Sequence, residues 1–475
     1  MPLPSQKTRI VATIGPASDS PEMLSRLIHA GMNVARVNFS HGSFAVHAER
    51  IARIGQAGRD TGCPVAVMAD LPGPKMRVGT VDPEPVELRV GTPFCLTLDD
   101  VVGNAQRVSV TFERLPRVVK PGDQLFLNDG LVQLRVEHAD DRNVHCTITA
   151  GGELRSRKGL NLPGIDLGIS AFTDHDRACL EFALSQGVDA VGQSFVETAA
   201  DVEAVRQAAA AMGHQPFIIA KIERSGALKH VDEILKAADG IMVARGDLGV
   251  EVPLEEIALT QKHLIAKANL AGKPVITATQ MLESMVTNWL PTRAEATDVA
   301  NAVLDGTDAL MLSAESAVGQ YPEEAVATLA RIAATTETRR PLMRLEELRR
   351  QCFEQLPGTF AESIAAVVEH ALETVPCAAT FVPTRTGTTA RMIARFKPSV
   401  WTVAFSRDAG VCQGLLFSYG VVPIHLHNEP GDWRAFSREW LRAHHVNGDV
   451  AILVAGPSSK YPDANHRIEF LRVGE

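Results

Sequence analysis

Lys221, Glu223 and Asp247 are the residues whose types and spacing are best suited to catalysis. Glu223 and Asp247 each follow an apolar segment, about one strand-and-helix unit apart. Carboxylates at neighbouring strand ends suit a hard divalent cation such as Mg²⁺, which takes few protein ligands and completes its shell with substrate oxygens. Lys221 alternates with Glu223, so both point the same way, where an ammonium can neutralise charge on a transferring group. Structural ion pairs, including a Lys221–Glu223 salt bridge, would explain the same residues.

Arginines follow other candidate strands, at Arg36, Arg77 and Arg245. So many cations around two carboxylates indicate an anionic substrate that carries a phosphate. Neither the G-x-G-x-x-G motif nor the P-loop motif occurs, so a bound nucleotide would be held by other means. A hydroxyl-rich loop at 384–389 could hold a phosphate at the N-terminus of the next helix, although an ordinary capped helix start fits equally well. His41 fits either a nucleotide contact or a satisfied polar residue.

The elements that position these residues alternate between strands and helices, which predicts parallel strand pairing. Eight such units in about 250 residues outside an insert match a (β/α)₈ TIM barrel. Active sites of these barrels lie at the carboxyl ends of the strands, where this sequence places polar residues almost every time. The candidate strands are Arg9–Ile14, Asn33–Phe39, Val65–Leu71, Asp189–Phe195, Phe217–Glu223, Gly240–Arg245, Pro274–Thr279 and Ala309–Ala314.

The pattern changes twice along the rest of the chain. From about Met76 to Ser156, short alternating runs separated by turn residues predict an inserted small β-barrel. A charged stretch that ends in Pro-Gly then indicates a boundary, and beyond it strands and helices predict an open α/β sheet of about five strands. The predicted domains are a catalytic barrel at 1–72 and 157–340, a lid at 73–156, a linker at 341–357 and a C-terminal α/β domain at 358–475.

Length and composition exclude several classes of function. The chain has 475 residues, 47 of them basic and 56 acidic, and its net charge of −9 argues against a nucleic-acid or acidic-membrane partner. No apolar run is long enough to span a bilayer, and the N-terminus lacks the apolar core of a signal peptide. Seven single cysteines disfavour a disulfide framework or a zinc ribbon. We therefore expect a cytoplasmic protein.

Eight stretches of the sequence closely resemble the pyruvate kinase family. They cover nearly the whole chain, densely to about residue 330 and more loosely after 360. The family's layout is a catalytic barrel interrupted by a β-barrel lid and followed by a regulatory α/β domain, which agrees with the pattern above. The matching stretches are Thr13–Ser18, Asn33–Gly42, Lys158–Gly164, Ala220–Glu223, Ile241–Glu251, Ala278–Met285, Pro291–Glu295 and Asp298–Glu315.

The resemblance implies transfer of the phosphoryl group of phosphoenolpyruvate to ADP, which gives pyruvate and ATP in the last step of glycolysis. It implies that Glu223 and Asp247 hold Mg²⁺ or Mn²⁺ against the substrate. Lys221 would stabilise the phosphoryl group in transfer, and Arg36 would contact the substrate phosphate.

The resemblance also implies contacts for the rest of the two substrates. The amides of Gly246 and Asp247, together with Thr279, would hold the substrate carboxylate, and Thr279 would relay a proton through water to the enolate. Closure of the lid would exclude water from the site. The residues implied to face the nucleotide phosphates are Asn38, Ser40, His41, Arg77 and, from the lid, Lys158.

One departure from the family concerns K⁺. Many relatives need K⁺ and usually carry glutamate where this chain has Lys75. A lysine ammonium can supply the unit charge of K⁺, so we expect activity without that ion. The alternative is that Lys75 points to solvent and the K⁺ site works as usual. The oxygens that match the K⁺ ligands are those of Asn38, Ser40, Asp70 and the Leu71 carbonyl.

A second departure concerns regulation. The loop at 455–466 lacks the glycine- and threonine-rich sequence that is usual in fructose-1,6-bisphosphate-activated members, which puts that effector in doubt. A phosphorylated sugar could still act as effector, and the family suggests a homotetramer. The residues assigned to the effector are Thr384, Thr386, Thr388 and Thr389.

Two other functions compete with this interpretation. Another Mg²⁺ barrel enzyme acting on pyruvate-like acids, such as an aldolase or lyase, would need the carboxylate pair but neither a lid nor Lys158. A non-catalytic sensor would keep the barrel without the chemistry. The intact set of Lys221, Glu223, Asp247 and Thr279 argues against the sensor.

Overall fold

The largest unit of the protein is a closed barrel of eight parallel strands, as the sequence predicted. The structure, a computed structural model, describes residues 3–340, 343–352, 359–456 and 465–474. Each barrel strand pairs with the strands that precede and follow it, and the eighth pairs with the first. The strands are Arg9–Thr13, Val34–Asn38, Ala66–Asp70, Ala190–Gln193, Phe217–Ile222, Gly240–Ala244, Val275–Ala278 and Ala309–Leu312.

The barrel strands are apolar because both of their faces are buried. Ile10 and Ala12 pack outward against the helices, whereas Val11 packs inside the barrel with residues such as Met242. Phe417 of the C-terminal domain joins this inner core, and its ring stacks on Phe217 at 5.3 Å. The helices and 3₁₀ turns around the barrel are Pro21–Ala30, Phe44–Thr61, Asp174–Ser185, Ala199–Ala211, Ser225–Lys229, Val231–Ala237, Arg245–Glu251, Leu254–Glu256, Ile257–Ala271, Glu283–Val286, Arg293–Leu304, Ala314–Ala317 and Pro322–Glu337.

An all-β insert lies between the third and fourth barrel strands. A six-stranded and a two-stranded sheet enclose its own core, which includes Phe94 and Leu125. The core also contains Leu160, Leu162 and Leu167, so the insert extends past the predicted boundary at 156. Its elements are Val86–Leu88, Pro93–Thr97, Arg107–Ser109, the helix Leu115–Val118, Gln124–Leu127, Val132–Ala139, Asn143–Ala150, Gly152–Leu154 and Leu160–Asn161.

The C-terminal domain is an open five-stranded α/β sheet, as predicted. From one edge to the other, its strands are Val421–His425, Trp401–Ser406, Ala379–Pro383, Val450–Ala455 and Arg467–Arg472, and the last strand is antiparallel. The helices of this domain are Phe360–Thr374, Thr388–Ala394, Ala409–Leu415 and Trp433–Ala443.

The segment between the two domains contains a helix, Leu345–Cys352. Its Leu348 shares a core with Leu270 of the barrel helix Ile257–Ala271. The remainder of the predicted linker lies largely outside the described residues, as does most of the loop at 455–466. None of the helices in the described part of the chain is long and apolar enough to cross a membrane.

Candidate active site at the carboxyl ends of the barrel strands

A polar cavity opens at the carboxyl ends of the barrel strands, and most of the predicted catalytic residues line it. Ser194, Phe195 and Ser313 also line this cavity, although the sequence had assigned them no role. Arg77, Lys158 and His41 do not lie among its lining residues. The predicted residues that the structure brings together here are Arg36, Asn38, Ser40, Lys75, Lys221, Glu223, Asp247 and Thr279.

Lys221 is the buried centre of this cavity. Its Nζ lies 2.8 Å from Glu223 Oε1 and 3.2 Å from Asp70 Oδ1, and it donates a hydrogen bond of 2.6 Å to Ser194 Oγ. Burial alone disfavours the ammonium, but the attraction of Asp70 and Glu223 outweighs burial and raises the pKa of Lys221 above its usual value. Lys221 is therefore a permanent, buried positive charge at neutral pH.

Asp70 is held between two cations. Arg36 Nε donates to Asp70 Oδ2 at 2.7 Å, and Arg36 also donates to Thr13 Oγ1 at 2.8 Å. Burial disfavours the Asp70 carboxylate, yet Arg36 and Lys221 lower its pKa below the usual value. The carboxylate of Asp70 thus pairs with both cations that face the cavity, and its buried Oδ1 accepts no hydrogen bond from the residues that the structure describes.

Glu223 and Asp247 form the carboxylate pair. Glu223 Oε2 accepts a hydrogen bond from the Phe195 amide at 2.8 Å. Phe195 has a positive φ of 58°, which residues other than glycine rarely adopt. Burial raises the pKa of Glu223, and repulsion from Asp247 adds to this effect, although Lys221 opposes it. Two carboxylates that repel each other in a buried site are a fitting environment for a divalent cation.

The carboxylate pair does not close a metal site alone. Among the residues that the structure describes, no group of three or more His, Cys, Asp or Glu side chains could hold a metal ion. A cation at Glu223 and Asp247 would therefore take its other ligands from substrate or water, as Mg²⁺ commonly does.

Thr279 is held in a strained turn by Arg245. Thr279 and Gln280 both have positive φ angles, of 67° and 54°, which is unusual for residues other than glycine. Thr279 Oγ1 accepts the Gly246 amide at 2.7 Å and donates to the Ala278 carbonyl at 2.7 Å. Its hydroxyl and the amide of Gly246 therefore occupy adjacent positions.

The prediction that Arg245 converges on an anionic substrate was wrong. Its guanidinium donates to the Thr279 carbonyl at 2.7 Å and pairs with Asp298 at 2.7 Å. It also contacts Gln280 O, and it is not among the residues that line the cavity. Arg245 stabilises the strained turn instead of facing the substrate.

Two of the residues assigned to the nucleotide phosphates, Asn38 and Ser40, line the cavity. Asn38 Oδ1 accepts the Ser40 amide at 3.0 Å, which fixes this loop after the second strand. The His41 side chain is largely exposed to solvent. The burial of its remaining part and, to a smaller extent, the nearby charges of Lys75, Arg77 and Arg36 lower its pKa. His41 thus lies in a cluster of cations that disfavours its protonated form.

Arg77 and Lys158 lie on the two chain segments that connect the barrel to the insert. Arg77 forms an antiparallel bridge with Gly159 and donates to the Arg157 carbonyl at 2.8 Å. The Val78 amide donates to the Lys158 carbonyl at 2.9 Å. A movement of the insert would therefore carry Arg77 and Lys158 with it.

The threonines assigned to an effector lie in the C-terminal domain, apart from the barrel cavity. Thr384 Oγ1 accepts the Gly387 amide at 3.0 Å, and the hydroxyls of Thr386 and Thr388 lie 2.9 Å apart. Arg391 donates to the Thr386 carbonyl at 2.7 Å. This loop is held by its own hydrogen bonds.

The sequence and the fold are similar to those of known proteins. The model of the pyruvate kinase barrel domain matches residues 5–326, and that of the pyruvate kinase alpha/beta domain matches residues 362–466. A pyruvate kinase of Thermococcus litoralis is 49% identical over 89% of this chain and 90% of its own length. One from Geobacillus stearothermophilus is 44% identical over 95% of this chain and 78% of its own length. The crystal structure of a Cryptosporidium parvum pyruvate kinase superposes with a TM-score of 0.91 at 35% identity, covering 99% of this chain and 97% of that one.

Proposed function

This chain belongs to the pyruvate kinase family and transfers a phosphoryl group from phosphoenolpyruvate to ADP, and we propose that the barrel cavity is where it does so. The observation that carries this assignment is the buried, charged Lys221 in one cavity with Glu223, Asp247 and Thr279. An anionic group that enters there meets a fixed cation, a carboxylate pair and a hydroxyl, which is the set that transfer from an enol phosphate requires.

The family uses a divalent metal, and we propose that Glu223 and Asp247 bind it here as Mg²⁺ or Mn²⁺. Hard oxygen ligands and the mutual repulsion of the two carboxylates support this choice. When bound, the ion neutralises charge on the substrate oxygens. The Phe195 amide and Lys221 hold the Glu223 carboxylate in the orientation that it needs to act as a ligand.

The phosphoryl group is stabilised by two cations that Asp70 orients. Lys221 and Arg36 both pair with Asp70, so their positions are fixed before substrate enters. Fixed charges stabilise a transition state without the cost of reorganisation. Lys221 acts on the phosphoryl group in transfer, and Arg36 binds the phosphate of the substrate.

Thr279 and the end of the preceding barrel strand bind the other half of the substrate. The amides of Gly246 and Asp247, with the Thr279 hydroxyl, bind the carboxylate of phosphoenolpyruvate. The close approach of Thr279 Oγ1 to the Gly246 amide supports this grouping. Thr279 then relays a proton through water to the methylene carbon of the enolate, and that carbon becomes the methyl group of pyruvate.

The nucleotide side consists of residues from the barrel and from the insert, which acts as a lid. Closure of the lid brings Arg77 and Lys158 toward the phosphates of ADP and excludes water that would hydrolyse the phosphoryl donor. The other residues on this side are Asn38, Ser40 and His41.

Lys75 takes the place of K⁺ in this enzyme. Lys75 lines the cavity beside Asn38 and Ser40, and its charge reaches His41. The Asp70 carboxylate is committed to cations of the protein, and the Leu71 carbonyl accepts a hydrogen bond from a serine hydroxyl. Two of the oxygens assigned to a K⁺ site therefore already have partners within the protein.

Regulation, assembly and cellular location rest on the family pattern. The threonine loop at 384–389 accepts a phosphorylated sugar, four chains form a homotetramer, and the enzyme works in the cytoplasm. The seven cysteines are spread singly along the sequence, which supports a reducing compartment. The catalytic barrel, the lid and the regulatory domain act as the separate units that the sequence predicted.

A stoichiometric assay tests the proposed site. Purified protein is given phosphoenolpyruvate, ADP and Mg²⁺, and pyruvate and ATP are measured in the same samples. The proposal predicts equal amounts of both products in the wild type and almost none in Glu223→Gln. A lyase would consume phosphoenolpyruvate without ADP, and a sensor would form neither product.

A further inference from the structure

The segment that returns from the insert to the barrel is bonded to two loops at the mouth of the barrel. Arg224 NH2 donates to the Ile165 carbonyl at 2.7 Å. Burial raises the pKa of Glu251, and the nearby Gly164 amide opposes this rise, so that amide faces the Glu251 carboxylate. These two contacts hold consecutive residues of the returning segment, Gly164 through its amide and Ile165 through its carbonyl.

Each of the two barrel residues stands close to a carboxylate assigned to the metal. Arg224 directly follows Glu223, and Glu251 ends the helix Arg245–Glu251 that carries Asp247. Whatever moves the backbone at Arg224 or the end of that helix also moves a metal-binding carboxylate.

The two loops are also bonded to each other. Ser225 donates to Glu251 Oε2 from its amide at 3.3 Å and from its hydroxyl at 3.2 Å. Arg224 is only 5% exposed and pairs with Glu197 at 3.5 Å, so its guanidinium cannot swing freely. The returning segment is therefore attached to a single unit that contains both carboxylates.

The insert approaches the same helix at a third point. A Cβ placed on Gly130, in a turn of the insert, would lie 3.6 Å from Val250, the residue before Glu251. The helix Arg245–Glu251 therefore lies close to the insert at this turn as well as at the returning segment.

We propose that Arg224 and Glu251 are positioning residues that couple the lid to the metal site. Their contacts with Ile165 and Gly164 hold the lid against the unit that carries Glu223 and Asp247. The inference rests on the proposed assignment of those two carboxylates. Loss of the contacts lets the lid open during turnover, so water competes with ADP.

Water competition has a defined product balance. A water oxygen attacks phosphorus, the bond from phosphorus to the enolate oxygen breaks, and the enolate takes a proton to give pyruvate and inorganic phosphate. No oxidant or further reactant is needed. Pyruvate formed in excess of ATP therefore measures how often the lid fails to exclude water.

The test compares Arg224→Met with Arg206→Met. Arg206 provides a matched control, because it also donates to a backbone carbonyl at 2.7 Å and pairs with a carboxylate, but on the outer helix layer away from the lid. We expect Arg224→Met to raise KM for ADP by roughly tenfold, as suits loss of a charged hydrogen bond, and to raise the pyruvate-to-ATP ratio above one. Arg206→Met should keep wild-type values of both.

The proposal is overturned if Arg224→Met keeps the wild-type KM for ADP and a ratio of one, or if both arginine variants change equally. Should Arg224→Met fail to fold, Glu251→Gln, which preserves size, must show a raised ratio for the proposal to hold. Glu223→Gln is measured in parallel. If that variant keeps the wild-type dependence on Mg²⁺, the metal assignment fails, whereas wild-type product ratios in the other variants reject the coupling alone.

Discussion

Replacement of K⁺ by tetramethylammonium at constant ionic strength should change kcat/KM of this enzyme by less than about tenfold. Asp70 is already paired with two cations, and Ser194 Oγ donates to the Leu71 carbonyl at 2.7 Å. Asn38 Oδ1 accepts a backbone amide at 3.0 Å. Three of the four groups that match K⁺ ligands therefore have partners within the protein, and Lys75 supplies a charge at the same cavity.

The size of the effect follows from the exposure of Lys75. A unit charge about 4 Å from an anion contributes about 4 kcal/mol near a protein surface. Lys75 is exposed, and solvent screening reduces this contribution to about 1 kcal/mol. A change to glutamate removes that attraction and adds a repulsion of similar size, so Lys75→Glu should lose about 2 kcal/mol, roughly thirtyfold in rate, when K⁺ is absent.

The assay measures kcat/KM for phosphoenolpyruvate in KCl and in tetramethylammonium chloride, with saturating Mg²⁺ and ADP. Lys75→Glu should be slow in tetramethylammonium and should recover most of its rate in KCl. Lys120→Glu, which reverses an exposed charge elsewhere on the insert, should behave like the wild type in both salts. Stimulation of the wild type by K⁺ of about tenfold or more would refute the reasoning.

Three further predictions concern the lid, the barrel and the strained turn. Excision of residues 76–167, with a short glycine linker, should leave a folded barrel by circular dichroism, because the insert has its own core, but ATP formation should be lost; ATP formation at a comparable rate would show that the insert is not a lid. Burial raises the pKa of Asp189 to about 6, although its carboxylate accepts the Val67 amide. The folded chain thus holds this proton more tightly than the unfolded chain, so wild-type stability falls as pH rises from about 4 to 6. In urea titrations at pH 8, the free energy of unfolding of Asp189→Asn should therefore exceed that of the wild type by up to about 3 kcal/mol. Below pH 4 the two free energies should differ little. A difference that stays constant across this pH range would contradict the assignment. Arg245→Met should lower kcat by roughly tenfold or more. Adding Thr279→Val to this variant should lower kcat little further, because both substitutions act through the Thr279 hydroxyl. Additive losses in the double variant would show that the two residues act separately.

The barrel and the C-terminal sheet could be predicted from the sequence because their strands are short apolar runs that alternate with amphipathic helices. The carboxyl ends of the strands then gave the location of the polar cavity. The sequence pattern predicts the positions of Lys221, on a barrel strand, and of Glu223, directly after that strand. Their spacing of two residues places both side chains on the same side, as the 2.8 Å contact between them shows.

Predictions from the sequence are wrong where the backbone conformation decides the direction of a side chain. Arg245 follows a strand as Arg36 does, but it turns toward the carbonyls of a turn with positive φ angles, which no residue pattern reveals. Glu315 also follows a strand, yet its carboxylate accepts the amides of Leu282 and Ser313 and has a structural role. Residue type predicts that a charged side chain is present but not which backbone groups will form hydrogen bonds with it.

Contributions made by the backbone were also missed. The Phe195 amide orients Glu223, and its strained φ angle could be recognised only in the structure. The alternating runs predict that the insert ends at 156. The core nevertheless takes in Leu160, Leu162 and Leu167, which are separated by turns and show no such alternation.

The central claim is that Lys221 is the buried charge that stabilises the phosphoryl group in transfer, and the kcat of Lys221→Met tests it most directly. Lys267→Met is the matched control, because it also removes a largely buried lysine that pairs with a carboxylate at 2.8 Å, but outside the cavity. The account predicts that Lys221→Met remains folded and binds Mg²⁺ while its kcat falls by several powers of ten, about 1.4 kcal/mol for each, and that Lys267→Met keeps the wild-type kcat. A folded Lys221→Met enzyme with near wild-type kcat would contradict it.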